Sequence, residues 1–119
     1  MNLSRDTRRL DQVFHALADT SRRTMIDRLS KGPASVSELA RPLDMALPSV
    51  VKHLAVLEAG GIVISAKTGR VRTYRIAPSA LSLVETWVAE RKALWNSQFD
   101  QLEQYLLSQS SNQKREKRK

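Results

Sequence analysis

The chain has 119 residues, enough for one domain with a modest core. Twenty Lys and Arg against twelve Asp and Glu leave a net charge of +8, which favours a polyanionic partner. There is no cysteine, so disulfides, thiolate metal sites and thiol redox chemistry are excluded.

Half of the excess charge, +4, lies in the last six residues, Lys114 to Lys119, so the rest of the chain is only moderately basic. No apolar run approaches the roughly 18 residues of a membrane span, and no membrane partner is expected. The polar start, Met1 to Arg9, lacks the apolar stretch of a signal peptide. A cytoplasmic location is the simplest expectation.

The first predicted helix runs from about Arg5 to Ala18, with Leu10, Val13, Phe14 and Leu17 at spacings of three and four on one face. Asp19 suits the N-cap of a second helix, whose apolar positions are Met25, Ile26 and Leu29 and which Gly32-Pro33 stops. Ser35 and Glu38 form a capping-box pattern for a short third helix reaching about Leu43. A turn over 44–47 then leads to a helix from Pro48 to about Ala59, closed by Gly60-Gly61. Ile62–Ala66 and Val71–Ile76 read as two antiparallel strands around Gly69, with Tyr74 and Ile76 pointing inward. Pro78 opens the last helix, which ends near Gln109, with a break near Ser82 allowed for. Beyond it, residues 110–119 read as a disordered basic tail.

On the helix from Pro48, Val50, Leu54 and Leu57 face the core. Ser49, Lys52 and His53 are left outside or at the margin, as candidates for contact with base edges and phosphates. The plain alternative is an amphipathic helix whose polar side is only solvated. The hairpin adds Lys67, Arg70 and Arg72 beside a flexible Gly69, a pattern suited to a groove or to phosphates. Its plain alternative is an edge strand kept from aggregating by charge. Helix, turn, helix and basic wing in succession point to a DNA-binding module.

The last helix carries Trp87, Trp95, Phe99 and Tyr105, more aromatic surface than a small core can cover. Val13, Phe14 and Leu17 of the first helix, with Trp87, Val88, Trp95, Phe99 and Leu102 of the last, are therefore the candidate homodimer interface. Packing within one chain is the alternative. His15 and His53 are the only histidines, and neither has a carboxylate or second histidine at metal spacing in sequence. No metal, no cofactor and no catalytic set is expected, and so no enzyme.

These residues resemble the ArsR family of bacterial winged helix-turn-helix repressors. The similarity covers about Leu10 to Ile76, and more weakly the last helix. It rests on Leu17-Ala18-Asp19-Thr20-Ser21-Arg22-Arg23, on Val36-Ser37-Glu38-Leu39-Ala40, on Pro48 to Leu54 followed by Leu57 to Val63, and on Gly69-Arg70 through Tyr74. The resemblance implies a homodimeric repressor of an inverted-repeat operator, with Ser49, Lys52, His53 and Arg70 at the DNA. The aromatic, cysteine-free last helix looks like the SdpR-like autorepressor branch. Four departures stand out: Ala46 replaces a usual Ser, Val51 a usual Ser or Thr, and Thr20 a usual Pro, while the family's metal-binding residues are missing.

The expected fold is mainly α with a small β-hairpin: a winged helix-turn-helix over residues 1–109 whose long C-terminal helix dimerises. The expected function is sequence-specific, metal-free regulation of transcription from double-stranded DNA. Two other readings stay open. One is a regulator with a small-molecule pocket near the last helix, for which the sequence names no effector. The other is an architectural DNA binder without sequence preference.

Overall fold

The computed structural model describes residues 3–118, and the side chains of residues 5–112. Two compact units divide the chain, Met1–Val84 and Glu85–Lys119.

In the first unit, α1 (Leu3–Leu17) is followed by α2 (Thr20–Leu29), strand β1 (Ala34–Ser35) and α3 (Val36–Ala40). A 3-10 turn, Arg41–Leu43, leads through Asp44 in the left-handed region (φ 50°) to α4 (Leu47–Ala59). Strands β2 (Val63–Thr68) and β3 (Val71–Ile76) complete the unit before α5 (Ser82–Arg118) begins.

The caps read from the sequence are present. Asp19 accepts a hydrogen bond from the Arg22 backbone N–H at 3.0 Å and opens α2. Ser35 Oγ accepts from the Glu38 N–H at 3.3 Å, while Glu38 Oε1 accepts from the Ser35 N–H at 3.2 Å, a complete capping box. Those bonds to backbone N–H groups are the largest influence holding the Asp19 and Glu38 carboxyls below the ordinary carboxylate range. Both caps therefore act in full at neutral pH, and their contribution fades as acid protonates them.

The core gathers Val13 and Ala16 of α1, Met25 and Leu29 of α2, Leu39 of α3, and Val50, Leu54 and Leu57 of α4 beneath Ile62, Val63 and Tyr74 of the hairpin. Full burial of a side chain such as Leu54 contributes roughly 1.5–3 kcal/mol. Tyr74 faces inward as expected and Ile76 packs against the cluster; burial pushes the Tyr74 phenol up. At Gly60 a Cβ would stand 3.1 Å from both Ala16 Cβ and the Gln12 carbonyl oxygen. The closeness of α1 to the end of α4 thus depends on glycine.

One sequence expectation is extended by the structure and two need correction. The hairpin belongs to a three-stranded antiparallel sheet, ordered β1-β3-β2, with Ala34 opposite Tyr74 and Ser35 opposite Thr73. Two residues are too few for alternation to announce a strand. Val13 is sealed inside its own chain, so it is core and not interface, whereas its neighbour Phe14 is 40% exposed. The buried side of α1 runs through Val13 and Ala16, turning Phe14 outward. Finally, α5 does not stop near Gln109 but continues to Arg118. The segment after Gln109 has no Gly or Pro, and its Gln, Lys, Arg and Glu are good helix formers. Lys119 and the side chains of 113–118 lie outside the described residues.

Candidate nucleic-acid interface

Helix α4 presents two unlike sides. Val50, Leu54 and Leu57 are fully buried. Ser49, His53 and Val56 are half-buried at the margin, and Leu47, Pro48, Val51, Lys52, Ala55, Glu58 and Ala59 are exposed. Of the three α4 candidates, only Lys52 stands fully on the outer face.

Ala46 occupies the N-cap position with an extended backbone (φ −64°, ψ 144°) but gives no side-chain bond. The Ser49 and Val50 N–H groups share the Ala46 carbonyl at 3.0 and 3.2 Å. Because the backbone already suits a cap, Ala46→Ser is expected to stabilise the fold by about 1 kcal/mol. Urea unfolding followed by circular dichroism checks this, and an unchanged midpoint would contradict it.

His53 is anchored from behind. Its Nδ1 lies 3.2 Å from Arg22 Nη1 and 3.9 Å from Asp19 Oδ2. A guanidinium only donates, so the shorter contact makes Nδ1 the acceptor and places the ring proton on Nε2. The same Arg22 donates through Nε to the Ala16 carbonyl at 2.8 Å and through Nη2 to the His15 carbonyl at 2.7 Å. Arg22 is buried, and Arg23 repeats the motif on the Leu17 carbonyl at 2.7 Å. Two arginines at the start of α2 thus bond the last carbonyls of α1, and one of them fixes His53. Sequence reasoning missed this role. Its signal was an Arg pair placed just after a helix end, beside a distant histidine.

The wing is a tight ribbon. Thr68 pairs with Val71, leaving a two-residue loop of Gly69 (φ 63°) and Arg70, in which the positive φ at the first position calls for glycine. Lys67 lies directly opposite Arg72, on the face of the ribbon that also carries Ser65 and Tyr74. Arg75, opposite Ile64, belongs to the other face. Like charges facing each other across strands repel, a cost that a polyanion between them would offset. Arg72 Nη1 donates to Ser65 Oγ at 2.8 Å, and Ser65 Oγ donates to Glu58 Oε1 at 2.9 Å. This chain ties the wing to the last turn of α4. Lys67, Arg70 and Arg72 are all exposed.

In the second unit, Val88, Trp95 and Leu102 recur every seven residues along α5, with Phe99 and Leu106 beside them. All are exposed, Trp95 by 51% and Phe99 by 64%. Trp87 is half-exposed, with the Arg91 guanidinium 4.5 Å from its ring centre. Among the described residues, no group of three or more His, Asp or Glu could hold a metal ion, and no helix is long and apolar enough to cross a membrane.

A helix pair packed at a tight turn, with a basic β-ribbon attached to the second helix, is the winged helix-turn-helix architecture of DNA-binding proteins. Residues 17–65 match a helix-turn-helix domain family. The chain is 40% identical over 76 residues to the HTH-type transcriptional regulator Rv2034 of Mycobacterium tuberculosis, spanning 64% of this chain and 71% of that protein. It is 32% identical over 87 residues to the arsenical resistance operon repressor of Escherichia coli, spanning 68% and 74%. Among solved structures, the ArsR family transcriptional regulator RHA00566 superposes with a TM-score of 0.73 at 50% identity, over 76% of this chain and 94% of that one. A homodimeric winged helix-turn-helix DNA-binding domain from Mycobacterium bovis gives 0.59 at 28%, over 74% and 83%. The chain belongs to the ArsR family of transcriptional regulators.

Proposed function

We propose that this protein is a homodimeric repressor, acting in the cytoplasm without a metal, which occupies an inverted-repeat operator. The observation that carries this reading is the joint placement of Lys52 on the outer face of α4 and the Lys67–Arg72 pair on a wing bonded to the same helix. In this reading α4 enters the major groove of each half-site. Lys52 meets a phosphate or a guanine edge, and Ser49 and the His53 Nε2–H lie at the groove margin. Lys67, Arg70 and Arg72 clamp the flanking backbone. The apolar row on α5 joins two copies, as the homodimeric relative makes reasonable, and Phe14 and Leu17 of the first unit are separate candidates for contact with the second copy. Half-sites then lie about one or two helical turns apart. The reading includes no catalytic step.

The test is selection of bound duplexes from a random pool at near-physiological salt, with purified protein and no added metal. An enriched inverted repeat is the expected outcome. Uniform binding to all duplexes would replace the repressor by an architectural protein, and binding only after a metal or small molecule is added would overturn the metal-free part.

A further inference from the structure

The outer face of α4 is unexpectedly apolar for a surface that meets DNA. Leu47, Val51 and Ala55 follow one another at spacings of four, so they form one ridge along the helix. Leu47 is 50% and Val51 47% exposed, and Pro48 and Ala55 are exposed beside them. The polar groups that would normally compete for base edges are set back to the margin or partly engaged. Ser49 is half-buried, the His53 Nδ1 is taken by Arg22, and the Glu58 carboxylate accepts from Ser65. Lys52 remains as the one cation on this face among the described residues.

A major groove offers donors and acceptors at every base pair, and one apolar group, the C5-methyl of thymine. An aliphatic side chain pressed on a bare donor or acceptor strips its water and returns nothing. Pressed on a methyl, it removes apolar surface from water on both sides. We propose that the Leu47–Val51–Ala55 ridge reads thymine methyl groups, and that Val51 is the specificity-determining contact. The occupant of this apolar face is therefore thymine-bearing duplex DNA, held there by Lys52 and the wing cations. The inference rests on the DNA-binding reading above and adds which chemistry selects the half-site.

The test uses the duplex enriched by the pool selection, remade with deoxyuridine in place of thymine. That exchange deletes the methyl and leaves pairing and groove hydrogen bonding intact. The expected result is an affinity loss of about fourfold for each contacted methyl, confined to the half-sites, and a smaller loss in the Val51→Ser protein at one thymine. Equal affinity for the thymine and deoxyuridine duplexes would overturn the proposal while leaving operator recognition in place. A full deoxyuridine penalty in Val51→Ser would remove Val51 from the role. Failure of the selection to enrich any sequence would sink both readings together.

Discussion

Arg22→Ala is expected to destabilise the first unit by about 2–4 kcal/mol, the loss of several charge-assisted hydrogen bonds from a buried group. The guanidinium bridges the His15 and Ala16 carbonyls at the end of α1 to the ring of His53 on α4. Its removal takes the arginine donor from the buried Ala16 carbonyl, leaves the His15 carbonyl with only the Ala18 N–H, and loosens the element that carries Lys52. For a unit of this size the melting temperature should fall by on the order of 15 °C. Arg22→Lys should recover only part of the loss, because an ammonium cannot span three acceptors as a planar fork does. Thermal unfolding of the three proteins decides the matter, and a shift in Arg22→Ala below about 0.5 kcal/mol, within the range of ordinary surface changes, would refute the bridging role.

The second large effect concerns α5. Trp95→Glu combined with Phe99→Glu places two charges in the middle of the exposed apolar row. Both positions are open in the single chain, so the fold of one copy should survive. Two charges facing two charges across a helix pair would not. The protein should sediment as a monomer. Its affinity for a two-half-site duplex should fall on the order of a hundredfold or more, the gain that joining two binding modules supplies. Affinity for an isolated half-site should be unchanged. A variant that still sediments as a dimer, or that keeps its affinity for the full operator, would show that this row is not the interface.

Much of the fold was legible because local rules and burial agreed. Asp19, Ser35 and Glu38 sit where capping chemistry places them. The spacing of Val50, Leu54 and Leu57 gave the buried side of α4, and Gly69 marked the wing turn. What escaped were features made by contacts distant in sequence. The strand at Ala34–Ser35 exists only because Thr73 and Tyr74 pair with it. Val13 was assigned to an interface because helical spacing cannot tell which partner covers an apolar residue. For His53 the sequence offered no neighbouring carboxylate, yet folding brings Asp19 and Arg22 to it across 34 and 31 positions of chain, respectively. His53→Ala would therefore disturb Arg22 as well as any DNA contact, whereas Lys52→Ala probes the outer face alone. The extension of α5 was missed because polarity was taken for disorder, although the same residues favour helix once a stop signal is absent.

The Lys67–Arg72 register gives salt two opposed effects. In the free protein, dissolved ions screen the repulsion across the wing and steady the ribbon. In the DNA-bound form proposed above, the same ions would compete with those two side chains for phosphate and weaken the complex. Salt that steadies the wing would thus loosen its hold on an operator, and a buffer chosen for the calm of the free ribbon would conceal binding.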